Sequence, residues 1–168
     1  LVDTDYTGFH NARKRLQDKK VGQFSFKQYE ENGKKYFMIT RNEINISKIE
    51  SFLNSIIDEV VSKNTFVGSL PTTLDAKWND MVLIDCSNGI TDLNAYGRGQ
   101  VLIWLYAKPL TNGIKNIATL SKMEQLLNKA IEENSDVSYQ INRRRTYQDF
   151  DNERKWHCNI VELNIRII

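Results

Sequence analysis

Few side chains in this sequence have the types and spacing that catalysis requires. The histidines are His10 and His157, and the cysteines are Cys86 and Cys158. His157 and Cys158 are neighbours on a predicted strand, so their side chains point to opposite faces and cannot form a nucleophile–base pair. A Cys86–His157 pair would still permit nucleophilic chemistry, although two cysteines and two histidines offer such pairs by chance. Because no metal-ligand spacing accompanies the cysteines, we predict two free buried thiols.

The carboxylates raise the question of a divalent cation site. Asp85 and Asp92 flank a predicted loop, and Asp80 or Glu124 could add a further oxygen ligand. A metal-dependent nuclease would also need a lysine near the second carboxylate on a strand, and no such pairing occurs. We therefore predict no catalytic, cofactor or metal site, and no enzymatic activity.

The glycine-rich stretch Gly97-Arg98-Gly99 is the other motif with a chemical interpretation. It precedes an apolar strand, whereas a phosphate-binding glycine loop needs the order strand, loop, helix. The order therefore excludes a dinucleotide fingerprint. We assign the two glycines to a tight turn or to close backbone packing.

The strongest charged feature is Arg143-Arg144-Arg145. In the predicted strand, Arg143 and Arg145 share a face and Arg144 takes the other. One interpretation is a solvated edge strand, since charge on an edge blocks unwanted strand pairing. The other is contact with an acidic partner surface or with nucleic acid. A predicted acidic turn at residues 149–153 could neutralise the run.

The elements that would position these side chains centre on an apolar strand followed by a helix. Residues 101–107 are apolar throughout, which predicts a strand covered on both faces. A helical stripe of apolar residues follows from Ile117 to Ile131 within a helix at residues 116–133. A second stripe runs from Ile49 to Val61, after a capping-box pattern at Ser47 and Glu50. These two stripes predict two long amphipathic helices.

Three further strands are predicted in the same region, at residues 80–86, 137–147 and 155–168. The first is expected to pair antiparallel with the central strand. The last strand is expected to be buried on both faces at its middle, because the apolar residues Val161 and Leu163 prevent the assignment of a single apolar face. Antiparallel strands covered by helices predict an α+β fold, a mostly antiparallel sheet packed against two long amphipathic helices.

An N-terminal helix and β-hairpin extension precedes this domain. Residues 4–20 predict a short helix with a basic face, which is either solvated or in contact with a partner or a phosphate backbone. Two strands around a turn at Asn32-Gly33 predict the hairpin. A lone hairpin is marginal in water, so it should pack on the domain or on a neighbouring subunit. We divide the chain into an arm of residues 1–45 and an α+β domain of residues 46–168.

Composition narrows the class of protein only moderately. The chain has 168 residues, of which 40% are hydrophobic, enough for one sizeable core. Its net charge of +2 neither demands nor excludes nucleic acid. No signal peptide is expected, and no apolar run approaches the roughly 20 residues that span a bilayer, so no membrane partner is expected.

Residues 47–168 resemble the bacteriophage tail terminators and the related neck and tail-completion proteins. The order of elements carries the resemblance: an amphipathic helix, two antiparallel strands, a long helix, then closing strands. The hairpin departs from the family outline. The matching stretches are the helix Ile49 to Val61, the strand Met81 to Cys86, the segment Tyr96 to Ala107, the helix Ile117 to Ile131 and the strand Gln140 to Tyr147 before an acidic turn.

The resemblance implies a structural virion protein, assembled in the host cytoplasm and without a cofactor. Such proteins form a homo-oligomeric ring, commonly of six subunits, that ends the tail tube and offers a surface to the head connector. It implies contacts with tail tube and connector proteins and transient proximity to DNA in the lumen. The alternative is a nucleic-acid-associated module that uses the basic helix and Arg143 to Arg145. The interface candidates are Phe24, Phe26, Tyr36, Phe37, Arg98, Arg143, Arg144 and Arg145.

Overall fold

The computed structural model describes residues 24–31, 33–41, 45–92, 96–135 and 139–167. The helix predicted at residues 4–20 lies outside the described residues. Contacts between Cα atoms divide the chain into two compact units. The hairpin belongs to one unit, and the two helices and the larger sheet described below belong to the other.

The hairpin consists of β1 (Phe24–Glu31) and β2 (Lys34–Arg41), which pair antiparallel. Gly33 lies in the turn between the strands with φ of 70°. This left-handed conformation is the one that glycine adopts without a steric penalty. The predicted hairpin is therefore present, whereas its role as an added arm stays a prediction.

The described part of the second unit contains one six-stranded sheet and two helices. The sheet order is β3-β4-β6-β8-β7, with β5 paired to β6, and only the β3–β4 pair is parallel. The α+β prediction, with a mostly antiparallel sheet and two helices, is confirmed. In chain order the elements are α1 (Ile46–Ile57), β3 (Thr65–Val67), β4 (Asp80–Asp85), β5 (Ile90–Asp92), β6 (Gly97–Ala107), α2 (Ile117–Asn134), β7 (Tyr139–Asp151) and β8 (Trp156–Ile167).

The helices pack on one face of the sheet and form the main core with it. Alternate residues of β6 and β8 face the helices, and each is at most 1% exposed. Because strand side chains alternate, a register slip of one residue would turn this whole set away from the helices. Burial of each such side chain stabilises the fold by roughly 1.5–3 kcal/mol. The set comprises Val101, Ile103, Leu105, Val161, Leu163 and Ile165, against Leu53 of α1 and Leu127 of α2.

The opposite face of the sheet is only partly covered. It carries a second, smaller apolar cluster, on which side chains of the β3–β4 connection pack. Residues 158–163 of β8 are all buried, which confirms that this strand is covered on both sides at its middle. Further along β6 and β8, Arg98 and Arg166 are exposed, so the cover stops there. The second cluster comprises Met81, Tyr106, Trp156, Cys158 and Ile160, with Leu70, Leu74 and Trp78 from the connection.

Helix α1 differs from its predicted bounds at both ends. Its N-cap is Asn45, whose side-chain oxygen accepts a 2.8 Å hydrogen bond from the amide of Ser47. The capping box predicted at Ser47 is therefore wrong; asparagine caps helices as well as serine does. The helix ends at Ile57 and the chain turns through Glu59 with φ of 61°. The prediction that the helix continues to Val61 fails because Val61 reaches the core from that turn.

Helix α2 matches its predicted bounds within a residue, but its first residue does not join the core. Ile117, assigned to the buried stripe, is 64% exposed. It lies in the first turn, before Leu120, which is the first buried residue of the helix. No helix in the described part of the chain is long and apolar enough to cross a membrane.

Two predicted turns differ from the structure. The acidic turn predicted at residues 149–153 begins later: Asp149 and Asp151 pair with Cys158 and Trp156 of β8, and the turn occupies residues 152–155. Cross-strand pairing overrides the low strand preference of aspartate at these positions. The stretch Gly97–Gly99 belongs to β6 and not to a turn.

Close packing, the other reason considered for the glycines, holds at Gly99. A Cβ atom there would lie 2.9 Å from Cγ1 of Ile90. Real Cβ atoms essentially never approach another heavy atom so closely. Residue 99 has no side chain, and this allows β5 to pair with β6 at this distance.

Candidate functional site

The sheet register separates the two residues considered for nucleophilic catalysis. Cys86 directly follows β4, whose last residue is level with Glu162 of β8 through the intervening strand β6. His157 lies near the start of β8, level with Asp80, the first residue of β4. Cys86 and His157 therefore lie level with opposite ends of β4. Burial also raises the pKa of the Cys86 thiol to about 12, so the thiol stays protonated at neutral pH.

The carboxylates considered for a cation site are also apart. Asp80 and Asp85 are the first and last residues of β4. Glu124 lies on α2, where its oxygens contact Asn159 and Arg143. Within the described ranges, no group of three or more His, Cys, Asp or Glu side chains is placed to hold a metal ion.

A β-bulge in β7 distributes the three consecutive arginines over both faces of the sheet. Arg143 pairs with Leu163, and Arg145 pairs with the adjacent residue Glu162. Adjacent strand residues point to opposite faces, so Arg143 and Arg145 do so as well. The prediction that these two arginines share a face is wrong, because Arg144 is the extra residue that shifts the alternation by one.

Arg143 lies on the helix side of the sheet, where it joins a polar network that connects α2 with strands β7 and β8. Its Nη2 is 2.8 Å from Oε2 of Glu124, and its Nη1 donates to Oδ1 of Asn128 at 3.0 Å. The other oxygen of Glu124 accepts a hydrogen bond of 2.5 Å from Asn159 Nδ2, and Lys115 Nζ donates to Asn159 Oδ1. These contacts give Arg143 a structural role in holding β7 and β8 to the helix.

Arg144 and Arg145 bind one buried carboxylate on the opposite face. The Glu162 side chain is 1% exposed; Nη1 of Arg144 lies 2.5 Å from Oε1, and Nε of Arg145 donates to Oε2. Burial alone raises the pKa of Glu162, but the hydrogen bonds from Arg145 and Arg144 outweigh it and hold the pKa below the usual range. The carboxylate therefore stays ionised at neutral pH. The arginine side chains remain 54% and 63% exposed, which leaves N–H groups directed to solvent.

A second pair of arginines lies further along the same face. Arg98 of β6 and Arg166 of β8 are directly opposite each other, and both are exposed. The guanidinium of Arg166 lies 4.1 Å from the ring centroid of Tyr96, a cation–π contact. Among the described residues, the Arg98 side chain has no hydrogen-bond or ion-pair partner. Like charges directly opposite each other destabilise a sheet, so this pair is an unfavourable arrangement without an anion.

Amide side chains lie between the two arginine sites. Gln100 of β6 is opposite Asn164 of β8, which in turn is opposite Asn142 of β7. This part of the sheet, uncovered by any described helix, is called the open face below. Its residues are Arg98, Gln100, Asn142, Arg144, Arg145, Glu162, Asn164 and Arg166.

Large apolar side chains are exposed at both edges of the sheet. Val67 on β3 is 38% exposed, and Tyr147 and Phe150 on β7 are 38% and 37% exposed. Strands β3 and β7 are the two ends of the strand order. Single exposed apolar residues are common, so their significance lies in this placement on two different edges.

The hairpin candidates occupy defined register positions in β1 and β2, and their interface role stays a prediction. In the hairpin register Phe24 is opposite Arg41, Phe26 opposite Ile39, Tyr36 opposite Tyr29 and Phe37 opposite Gln28.

The sequence did not identify Glu162 or Arg166, which complete the arginine sites, as site residues. One signal was available, a glutamate in the middle of a strand predicted to be buried on both sides.

Comparison with known proteins adds no family assignment. The chain matches no protein-family model, and a search of curated proteins finds no significant match. The resemblance to tail terminators therefore rests on the pattern and order of the elements.

Proposed function

We propose that this chain is a structural virion protein of a tailed bacteriophage. It forms a ring at the head–tail junction, ends the tail tube and joins it to the connector. One observation carries the proposal: exposed apolar side chains lie on two different edges of one sheet, Val67 on β3 and Tyr147 and Phe150 on β7. A closed ring uses a heterologous interface, in which two different patches of each subunit meet. Apolar residues on two opposite edges fit that requirement, although Tyr147 is level with Ile160 and Phe150 with His157, so the two β7 side chains lie on opposite faces of that edge.

The order of elements also supports the proposal. Helix α1, the antiparallel pair β4 and β6, helix α2 and the closing pair β7 and β8 follow the order on which the resemblance to tail terminators rests. The additional strands β3 and β5 have three residues each and leave that order intact.

In this proposal the protein has no catalytic role, and residues 1–45 form an extension. A two-stranded hairpin is marginally stable alone, so contact with a neighbouring subunit would stabilise it. The hairpin residues proposed for that contact are Phe24, Phe26, Tyr36 and Phe37.

Mixing two variants that each lack one patch tests the proposal. In Val67→Asp the β3 patch carries a charge, and in Phe150→Asp the β7 patch does. Each variant alone should be monomeric, because burying an unpaired carboxylate in the interface is unfavourable. Mixed in equal amounts they should form a dimer, since one intact patch remains on each chain. Light scattering after size exclusion measures the mass, which should double from the protomer's 19.6 kDa.

The matched control is Ile46→Asp, an equivalent substitution of an exposed residue, 41% exposed, at the start of α1. It should keep the wild-type mass. Circular dichroism should show that all three variants remain folded. A mixture that stays monomeric would contradict the pairing of these two edges, and single variants that keep the wild-type mass would remove both patches from the interface.

A further inference from the structure

We propose that the open face binds the phosphate backbone of double-stranded DNA. This inference goes beyond the proposed ring, because it needs only the sheet of a single chain. It also differs from the alternative function in which all of Arg143 to Arg145 contact nucleic acid, since Arg143 is bound to Glu124 on the helix side.

The charges of the open face favour a polyanion. Its residues include four arginines and one carboxylate, and the register places Asp85 of β4 on the same face, level with Glu162, so the net charge with Asp85 included is +2. The carboxylate of Glu162 is buried beneath Arg144 and Arg145 and presents almost no surface to solvent. Arg98 and Arg166 face each other without a described acidic residue between them. Guanidinium groups present N–H donors in a planar fork that matches phosphate geometry.

The spacing of the charges favours a duplex. Arg166 and Glu162 are four residues apart on β8, which places the two arginine sites about 13 Å from each other at 3.3–3.4 Å per residue. The major groove of B-DNA is about 12 Å wide. The two sites can therefore reach phosphates on both sides of a groove. Glutamine and asparagine side chains between them are residue types that also bind phosphate and sugar oxygens.

The same composition argues against an acidic protein as the occupant. Protein interfaces gain most of their binding energy from buried apolar and aromatic anchors at their centre. The centre of the open face instead carries the amides Gln100, Asn142 and Asn164. A surface of arginines around amides is typical of backbone contacts to nucleic acid, which carry no base specificity.

The salt dependence of DNA binding tests the inference. The full chain is titrated into a labelled 20-base-pair duplex of mixed sequence, and fluorescence anisotropy is measured from about 50 to 200 mM salt. Each phosphate contact contributes about 0.9 to the slope of log K against log salt. The double variant Arg98→Gln/Arg166→Gln should therefore lower the magnitude of that slope by about 1.8. Neither residue has a described ion pair, so the variant should fold as the wild type does.

The matched control removes two charges from the helix side. Lys122→Gln/Lys129→Gln alters exposed lysines of α2, one of which pairs with Glu133 on the same helix. It should leave the slope within about 0.3 of the wild type.

Three results would overturn the inference. The first is no binding by the wild type at 50 mM salt. The second is a slope that changes in the lysine control and not in the arginine variant. The third is tighter binding to a single strand of the same length than to the duplex. The mass of each protein is measured in parallel, so the absence of a ring and the absence of DNA binding are distinguished.

Discussion

Gly99 offers a direct test of how the edge of the sheet is built. Its position in β6 lies opposite Ile90 of β5, and a Cβ atom would meet Cγ1 of Ile90 at 2.9 Å and the carbonyl oxygen of Gly89 at 3.4 Å. Cγ1 is bonded directly to Cβ on a side chain with a restricted χ1, so relief of the contact requires a change of the Ile90 rotamer or a shift of β5. We predict that Gly99→Ala destabilises the protein by about 1–3 kcal/mol, the usual cost of overpacking.

A double-mutant cycle isolates the clash from other effects of the substitution. Ile90→Ala removes the atom that the methyl group added at position 99 would meet, at the cost of some burial. If the clash is the cause, Gly99→Ala should cost about 1–2 kcal/mol less in the Ile90→Ala background than in the wild type. Urea unfolding followed by tryptophan fluorescence measures the free energy of unfolding for the four proteins. An equal cost in both backgrounds would refute the explanation, and so would a cost of Gly99→Ala below about 0.3 kcal/mol.

Three further predictions concern the core, the buried carboxylate and the thiols. Leu127→Ala should destabilise the protein by about 2–5 kcal/mol in urea unfolding, whereas Ile117→Ala, in the same helix but 64% exposed, should cost under about 0.5 kcal/mol. The pKa of Glu162 is lowered in the folded state, so its stabilisation is complete above the unfolded value of 4.5 and is lost as the pH falls through the folded pKa. Glu162→Gln should therefore lose less stability than the wild type on acidification below about pH 4.5, and an identical acid profile would count against the ionised carboxylate. Burial raises the pKa of Cys86 and Cys158 to about 12, so both thiols should react with a disulfide reagent at pH 8 only after unfolding, and rapid reaction of the native protein would be inconsistent with their burial.

Hydrophobic periodicity was sufficient to predict the main elements of this fold. The apolar stripes predicted α1 and α2, and the apolar run of residues 101–107 predicted β6 as the centre of the sheet. Strands β3 and β5 were missed because three residues are too few to show an alternation. The end of α1 was missed because Val61 continues the helical stripe while reaching the core from a turn.

The open face could not be predicted for a different reason. It depends on the bulge at Arg144, which no local pattern reveals, and on the register that brings Arg98 opposite Arg166. Residues that are 68 positions apart in the chain become neighbours only when β6 and β8 pair. Sequence alone identified the arginine run and could not divide it between two faces of the sheet.

The mass of the wild-type protein in solution tests the proposed function most directly. Light scattering across a range of protein concentrations should give one discrete species of three or more protomers of 19.6 kDa, and six are expected from the resemblance. Electron micrographs of that species should show closed rings. A protein that stays at 19.6 kDa at the highest concentration, or that stops at a dimer, would contradict the ring.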